Sequence, residues 1–361
     1  MEQNQQAPPQ VYVPGIGLDI GTSFLQVARA RVDGKVEFLS ERDAFYAIKP
    51  TSTIAARFIE KSLTQRGAFV LKSGGTFYVV GKQAIETAIE RGDSVERPLK
   101  KGVVSARDKD SMPMLAVLIK ALVKNSTVPN EICVYSYPAN PIEGKFDVVY
   151  HQNRMAEILS GLGYRAIPLL EAEALAYSEL MAEDLTGIAI SCGAGMHNLA
   201  VFHIGECLFS FSIAEGGDYI DKSAATSLGI SDTEVQAEKE NNLNLLAPVG
   251  EIQETVVMYY RNLVNHVINL LEKKFKNMSD LPHFRKPITI VVSGGTSLPT
   301  GYMDLFRDFL KSEYDVRTKE IKAIRDREFP FEIGEVRQAG DPLTAVANGC
   351  LIYSQVVGSE E

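Results

Sequence analysis

Gly15-Ile16-Gly17-Leu18-Asp19-Ile20-Gly21-Thr22-Ser23-Phe24-Leu25-Gln26-Val27-Ala28 returns 172 residues further on as Gly187-Ile188-Ala189-Ile190-Ser191-Cys192-Gly193-Ala194-Gly195-Met196-His197-Asn198-Leu199-Ala200. The opening Gly, the Ile after it, the central Gly and the closing Ala are identical in the two copies. Each copy reads as a short apolar strand, a tight glycine turn and a returning strand. Each is followed by a third strand, Val36-Glu37-Phe38-Leu39 after Asp33-Gly34 and Cys207-Leu208-Phe209-Ser210 after Gly205. A duplication with this period points to two related α/β halves.

The elements between the copies fit that plan. Ser111–Asn125 has apolar residues at helical spacing (Met114, Leu115, Leu118, Leu122, Val123), and Ile132–Tyr137 is a strand stopped by Pro138. Met155–Leu162 reads as a helix, Ala166–Leu170 as a strand, and Ala172–Met181 as a second helix. In the second half Ile252–Lys276 is a long amphipathic helix, and Ile288-Thr289-Ile290-Val291-Val292 is a buried strand ending at Ser293-Gly294-Gly295-Thr296-Ser297. Asp304–Ser312 is expected to be helical, and the final helix, Leu343–Val356, could pack on either half.

The chain has 361 residues, 45% hydrophobic and 23% charged, with a formal net charge of −9. This length and balance suit two or three ordinary globular domains and exclude collagenous, disulfide-rich and disordered classes. The acidic sum argues against a nucleic-acid partner, which needs clustered positive charge. Like charge on every copy would also make self-assembly stronger as salt or Mg²⁺ screens it. Cys133, Cys192, Cys207 and Cys350 are scattered without metal-ligand or disulfide spacing, as in a reducing compartment. Residues 1–14 are polar and Gln/Pro-rich, with neither a signal-peptide core nor an amphipathic face. They read as a disordered leader, and a cytoplasmic location follows.

Three glycine turns lie at the ends of apolar strands: Asp19–Ser23, Ser191–Met196 and Ser293–Ser297. Such turns aim backbone N–H groups at one point and let an anion approach closely. Three of them, two related by the repeat, point to a nucleotide in a cleft between halves. A carboxylate at Asp19 would repel phosphate unless a cation lay between, and Mg²⁺ suits that role; the plainer alternative is that Asp19 caps its turn. The repeat calls for an acid at 191, but the residue is Ser191, which carries no charge to offer a metal. His197 either faces a phosphate or packs in its strand.

These residues resemble the actin-like ATPase superfamily, which also holds the heat-shock chaperone ATPases and the sugar kinases. Within it the chain is most similar to the bacterial actins of the MreB and magnetosome-actin type, over nearly all of its length after residue 14. Gly17–Ser23 is similar to the first phosphate loop. Tyr78–Ala84 and Arg97-Pro98-Leu99-Lys100-Lys101-Gly102-Val103-Val104 resemble a stretch found in MreB-type proteins. Tyr137-Pro138-Ala139 resembles the first connecting motif, and Asp341–Gly349 the second. Glu171 opens a segment like the one that carries the water-positioning acid, with Ala172 where the family has proline. Glu215–Asp221 resembles the Gly-Gly-Asp motif (Gly216, Gly217, Asp218), and Val292–Leu298 the adenosine motif. The second phosphate loop departs, reading Ser191-Cys192-Gly193-Ala194-Gly195-Met196-His197 where the family has Asp-x-Gly-x-Gly-Thr-Thr. In Gln236–Lys239 only Lys239 fits.

The resemblance implies an actin-like ATPase fold: two ribonuclease-H-like α/β halves, divided into four subdomains, flanking a nucleotide cleft. The first half would be 15–165 plus 340–361 with an insertion at about 45–95, and the second 166–339 with an insertion at about 221–287. It implies ATP or GTP with Mg²⁺ held by Asp19 through water. Phosphate contacts would come from Gly21, Thr22, Ser23, Gly193, Ala194 and Gly195, and adenosine contacts from Lys239, Gly294, Gly295 and Thr296. Glu171, with Asp19, would be catalytic in weak hydrolysis. Self-association into filaments is implied, with a membrane or cargo adaptor as a further partner and the inner membrane face as one setting. A pseudo-ATPase adaptor is the alternative that Ser191, Met196 and His197 favour; a small-molecule kinase is a third, against which no substrate-acid constellation beyond Glu171 and Asp218 is seen.

Overall fold

Both glycine hairpins form, and their pairing register repeats with the offset of the sequence. The computed structural model describes residues 15–105, 107–143, 148–315, 320–323 and 327–359, so the leader expected at 1–14 lies outside the described residues. Asp19 faces Gln26 and Ile20 faces Leu25; 172 residues later Ser191 faces Asn198 and Cys192 faces His197.

Each hairpin nucleates a five-stranded sheet. The first runs Arg165–Leu170, Ile132–Tyr137, Gly15–Ile20, Phe24–Ala30, Val36–Arg42; the second runs Ile333–Gln338, Ile288–Ser293, Gly187–Cys192, His197–His203, Glu206–Ile213. In both, three antiparallel strands come first along the chain and two later strands add in parallel beside the hairpin's opening strand. The inner parallel strands, Ile132–Tyr137 and Ile288–Ser293, are buried on both faces because helices cover both faces.

Several boundaries move. The strand Arg165–Leu170 pairs in parallel with Ile132–Tyr137, so the first sheet extends past the expected break at 165/166. The helix expected over Met155–Leu162 begins earlier, at Val148. The helix expected over Asp304–Ser312 is Tyr302–Phe309, started by Gly301 in a left-handed conformation (φ 85). Ser312–Asp315 is instead a strand pairing with Glu320–Ala323, a local antiparallel contact that outweighs the helical spacing.

The two sheets sandwich two helices. Glu171–Glu179 lies against the second sheet, and the C-terminal helix, Ala345–Ser359, lies against the first. Their shared core draws Ile132 and Val134 from the first sheet, Ala189, Phe202 and Val291 from the second, and Ala172, Leu175, Val346 and Cys350 from the helices. The choice left open for the last helix is thus settled: it packs on the first sheet and on the helix that faces the second. Outside, Ser111–Val123 covers the first sheet through Leu115, Leu118 and Ile119. Gly250–Lys276 covers the second through Val256, Tyr260, Leu263 and Val267.

The segment 45–95 carries a small three-stranded sheet (Phe45–Ile48, Thr76–Val80, Phe69–Ser73) and the helices Thr53–Gln65 and Lys82–Arg91. The corresponding region of the second half is helical: Gly217–Leu228, Asp232–Asn242 and the long helix. No helix among the described residues is long and apolar enough to cross a membrane.

The central sandwich depends on glycine. A Cβ at Gly349 would overlap the Ala174 carbonyl, and one at Gly17 would overlap the Ala347 carbonyl. Gly349→Ala should therefore cost about 1–3 kcal/mol, the range for overpacking a filled core. Gly161→Ala, in a helix with open space at its Cβ, should be neutral or mildly stabilising. Urea midpoints measure both, and equal midpoints for the two variants would refute this packing account.

Candidate functional site

Asp19 closes the central strand of the first sheet, and its Oδ1 accepts a bond of 2.7 Å from the Ser136 hydroxyl on the adjacent parallel strand. The Ile20 N–H donates to the same Ser136 Oγ at 3.0 Å. Glu171 is the first residue of its helix, where a carboxylate also suits the dipole. Its Oε1 accepts from the Ser191 hydroxyl at 2.5 Å and its Oε2 from the Asn198 amide at 2.8 Å. Asn198 is held in turn by the Ala139 N–H, which donates to its Oδ1 at 3.1 Å.

The two carboxylates share one desolvated environment. Burial lifts Asp19 to about 6, opposed by the Ser136 hydrogen bond. Burial, then the charge of Asp19, lifts Glu171 to about 8 against the Ser191 bond. Like charges in low dielectric resist joint ionisation, so the pair holds a proton to higher pH than ordinary carboxylates do.

The two glycine loops meet. A Cβ at Gly195 would overlap the Thr22 hydroxyl, and that hydroxyl accepts from the Gly102 N–H at 3.1 Å. Met196 packs against Gly102, so a thioether fills space beside the second loop where the family carries threonine. The N–H groups of Thr22, Ser23, Ala194 and Gly195 meet no protein acceptor among the described residues. Unsatisfied N–H donors grouped on adjoining turns are of the kind that suits an anion. Gly217 and Asp218 already donate to the Gly193 and Ala194 carbonyls, at 3.1 and 2.8 Å, so they brace the second loop from behind. Gly216 has no room for a side chain against that loop.

Gly294 sits at φ +94, where only glycine is at ease, and a Cβ there would also strike the Cys192 backbone. Beyond it, the Thr296 hydroxyl donates to Gly193 O at 2.9 Å, tying this turn to the second glycine loop. Gly295 has only Leu343 near its Cβ position. Lys239 Nζ lies at 2.7 Å from Asp221 Oδ2 and 3.2 Å from Gly217 O, a largely buried ion pair on the same side. His197 is packed rather than facing an anion: its Nδ1 meets Glu215 O at 2.8 Å, and burial lowers it to about 4.

The two glycine loops, the two carboxylates and the turn at Gly294 thus lie together, with the Gly-Gly-Asp segment bracing the second loop. Sequence reasoning missed Ser136, Asn198 and Arg97. Asn198 was within reach, being the partner of Ser191 by the repeat's own register. Arg97 donates to Asp218 at 2.8 Å and so joins the two halves; Arg42 and Glu240 lie 3.9 Å apart in a second such pair. Among the described residues no three His, Cys, Asp or Glu gather as a metal cage. A Mg²⁺ ion here would rest on Asp19, water and phosphate oxygens, a donor set that suits this hard cation.

The raised carboxylates make a pH signature. Glu171 in the fold titrates near 8 against 4.5 unfolded, and Asp19 near 6 against 3.8. Stability from these protonated groups is complete below their unfolded values and is lost as pH rises through the folded ones. His151 and His197, both lowered to about 4 by burial, act on the acid side, losing their contribution as pH falls below 6.5. Asp43, also pushed well up by burial, adds in the same direction as Glu171. Without nucleotide, the melting temperature should fall as pH rises from 6.5 to about 8, with a shallower slope in Glu171→Gln. A wild-type melting temperature that climbs through this window would contradict the assignment.

Comparison with known proteins agrees with this architecture. The family model described as Volactin matches residues 15–354. No curated protein sequence matches. Among solved structures, the chain is similar to a MamK double helical filament, at 16% identity and TM-score 0.63, over 95% of this chain and 99% of that one. It is also similar to MreB5 of Spiroplasma citri bound to AMPPNP, at 18% identity and TM-score 0.66, over 98% of each chain. MreB5 bound to ADP gives 18% identity and TM-score 0.64, over 96% of this chain and 98% of that one. At these identities the likeness carries the fold. The chain belongs to the Volactin family, and its fold is actin-like, of the class that includes MamK and MreB.

Proposed function

We propose that this protein is an actin-like cytoskeletal element that holds ATP or GTP with Mg²⁺ between its halves and assembles into filaments. The observation that carries this reading is the convergence of two glycine loops, with free backbone donors, on a pair of buried carboxylates. The related solved chains add support, one being described as a double helical filament and others as bound to AMPPNP or ADP. A cytoplasmic setting, with contact to a membrane face or a cargo adaptor, belongs to the same reading.

In this reading the N–H groups of Thr22, Ser23, Ala194 and Gly195 bind the phosphates, and Asp19 orders the water shell of Mg²⁺. Gly294, Gly295 and Thr296 line the nucleoside side, with Lys239 held beside them by Asp221. When bound, Mg²⁺ supplies the positive charge that lets Asp19 ionise beside phosphate. Glu171, once deprotonated, accepts a hydrogen bond from the attacking water and orients it. Contact with both loops favours the closed arrangement of the halves over an open one. Head-to-tail contacts that do not close on themselves then give a filament.

A second reading, a nucleotide-binding pseudo-ATPase or adaptor, is favoured by one observation: Ser191 spends its hydroxyl on Glu171, where a second carboxylate would otherwise face the metal. A small-molecule kinase is less well supported, since its candidate acid Asp218 is paired with Arg97.

Pelleting and negative-stain microscopy with ATP, with a non-hydrolysable analogue and without nucleotide should show polymer in at least one condition; absence in all three would sink the filament reading. Ser191→Asp adds a third carboxylate to the pair. It should lower the melting temperature without Mg²⁺, recover it with Mg²⁺–ATP, and raise ATP turnover several-fold from a weak wild-type level. Wild-type turnover that this substitution leaves unchanged would remove the main support for the pseudo-ATPase alternative.

A further inference from the structure

Leu99 pairs with Val104 and Lys100 with Val103, so Lys101 and Gly102 are the two residues of a hairpin turn. Both are left-handed, at φ 51 and φ 73, as a type I′ turn requires. Asn-Gly and Asp-Gly make this turn best. A lysine in its first position is strained, because its Cβ crowds the carbonyl oxygen that follows. The Lys101 side chain is exposed and has no ion pair or hydrogen bond among the described residues, so no polar contact offsets that strain.

The turn's place in the fold supplies a reason for the lysine. Gly102 N–H donates to the Thr22 hydroxyl at 3.1 Å, which fixes the tip to the first glycine loop. On the other side, a Cβ at Gly195 would come within 2.8 Å of the Gly102 nitrogen and 3.1 Å of the Lys101 Cα. The tip is therefore wedged between the two loops, beside the unsatisfied N–H groups of Thr22 and Gly195. The neighbouring basic side chains are spent on acids: Lys100 on Asp108 at 3.1 Å, Arg97 on Asp218 at 2.8 Å and Lys239 on Asp221 at 2.7 Å. Asp19 and Glu171 are held by Ser136, Ser191 and Asn198 and take nothing from Lys101. One cation is left over where the two loops meet.

Its position along the second loop says which part of a ligand it serves. Gly193 is the end tied to Thr296, in the turn assigned above to the nucleoside. Gly195 is the opposite end, and Lys101 stands there. We infer that Lys101 meets the terminal phosphate of a bound nucleoside triphosphate and makes the site prefer triphosphate over diphosphate. This rests on the nucleotide reading above and adds to it a residue that reads the ligand's charge. Backbone N–H groups serve a diphosphate as well as a triphosphate, whereas an ammonium on a flexible stem is a point charge that gains most from the extra anionic group. Because the tip touches both loops, the charge is delivered where the two halves come together. The strain in the turn is then offset by the ligand rather than by the chain.

The test uses the full chain and calorimetric titration with Mg²⁺–AMPPNP and with Mg²⁺–ADP. Lys101→Asn removes the charge and supplies a residue that the turn prefers. It should raise the melting temperature of the nucleotide-free chain, yet weaken AMPPNP binding about tenfold or more while moving ADP binding less than about threefold. Lys101→Arg keeps the charge and should hold AMPPNP within about threefold of wild type. If Lys101→Asn binds AMPPNP as tightly as wild type, or loses both nucleotides equally, this inference is overturned and the nucleotide reading stands. A wild type that binds neither nucleotide overturns both.

Discussion

Two helices cross so closely at the centre of this molecule that one must carry glycine where the other presents a backbone carbonyl. Gly349 lies on the Ala174 carbonyl, and the alanines around it, Ala172, Ala176, Ala345 and Ala347, keep the seam thin. Each helix belongs to a different sheet, so this crossing is what makes two duplicated halves one structure. It also positions the chemistry. Glu171 opens one of these helices, directly after a strand of the first sheet, yet both its carboxylate oxygens are held by residues of the second. Asp19 reaches the same place from the middle of the first sheet. Without the close crossing, the two acids would not share an environment, and neither would be lifted above the ordinary carboxylate range.

Much of this was legible in the chain. The repeat of Gly15–Ala28 at Gly187–Ala200 predicts two sheets with the same topology, and even the pairing of Asp19 with Gln26 and Ser191 with Asn198 follows its offset. Long elements with strong periodicity, such as the helix ending at Lys276 and the strand beginning at Ile288, fall within two residues of their expected bounds. The failures have local causes. The strand at 165–170 was read into the second half because strand propensity says nothing about which neighbour a strand joins. The end of the helix after Gly301 was overrun because Ser312 and its neighbours have a tertiary partner at 320–323 that spacing cannot show.

The site divides in the same way. Glycine turns at strand ends and an acid beside one of them are visible as letters, and so is the serine where the repeat calls for an acid. Invisible were the groups that work through long-range contact: Ser136, from a strand more than a hundred residues away, and Arg97, which meets Asp218 in the other half. The Gly-Gly-Asp segment shows a subtler limit. Its letters mark it as part of the site, but only its hydrogen bonds to the Gly193 and Ala194 carbonyls show that it stiffens the loop rather than offering donors to a ligand.

The Gly349–Ala174 seam has a mechanical meaning as well. Two rods packed this closely along a run of small residues act as the fulcrum between the sheets they cover. Turning one sheet against the other about that fulcrum moves groups in proportion to their distance from it, so the deep carboxylates shift least. The Arg97–Asp218 and Arg42–Glu240 pairs, farther out, travel most. A rotation small enough to keep Asp19 and Glu171 together is thus amplified at the rim into making or breaking whole ion pairs. The lever is built from nothing more than the absence of side chains at its pivot.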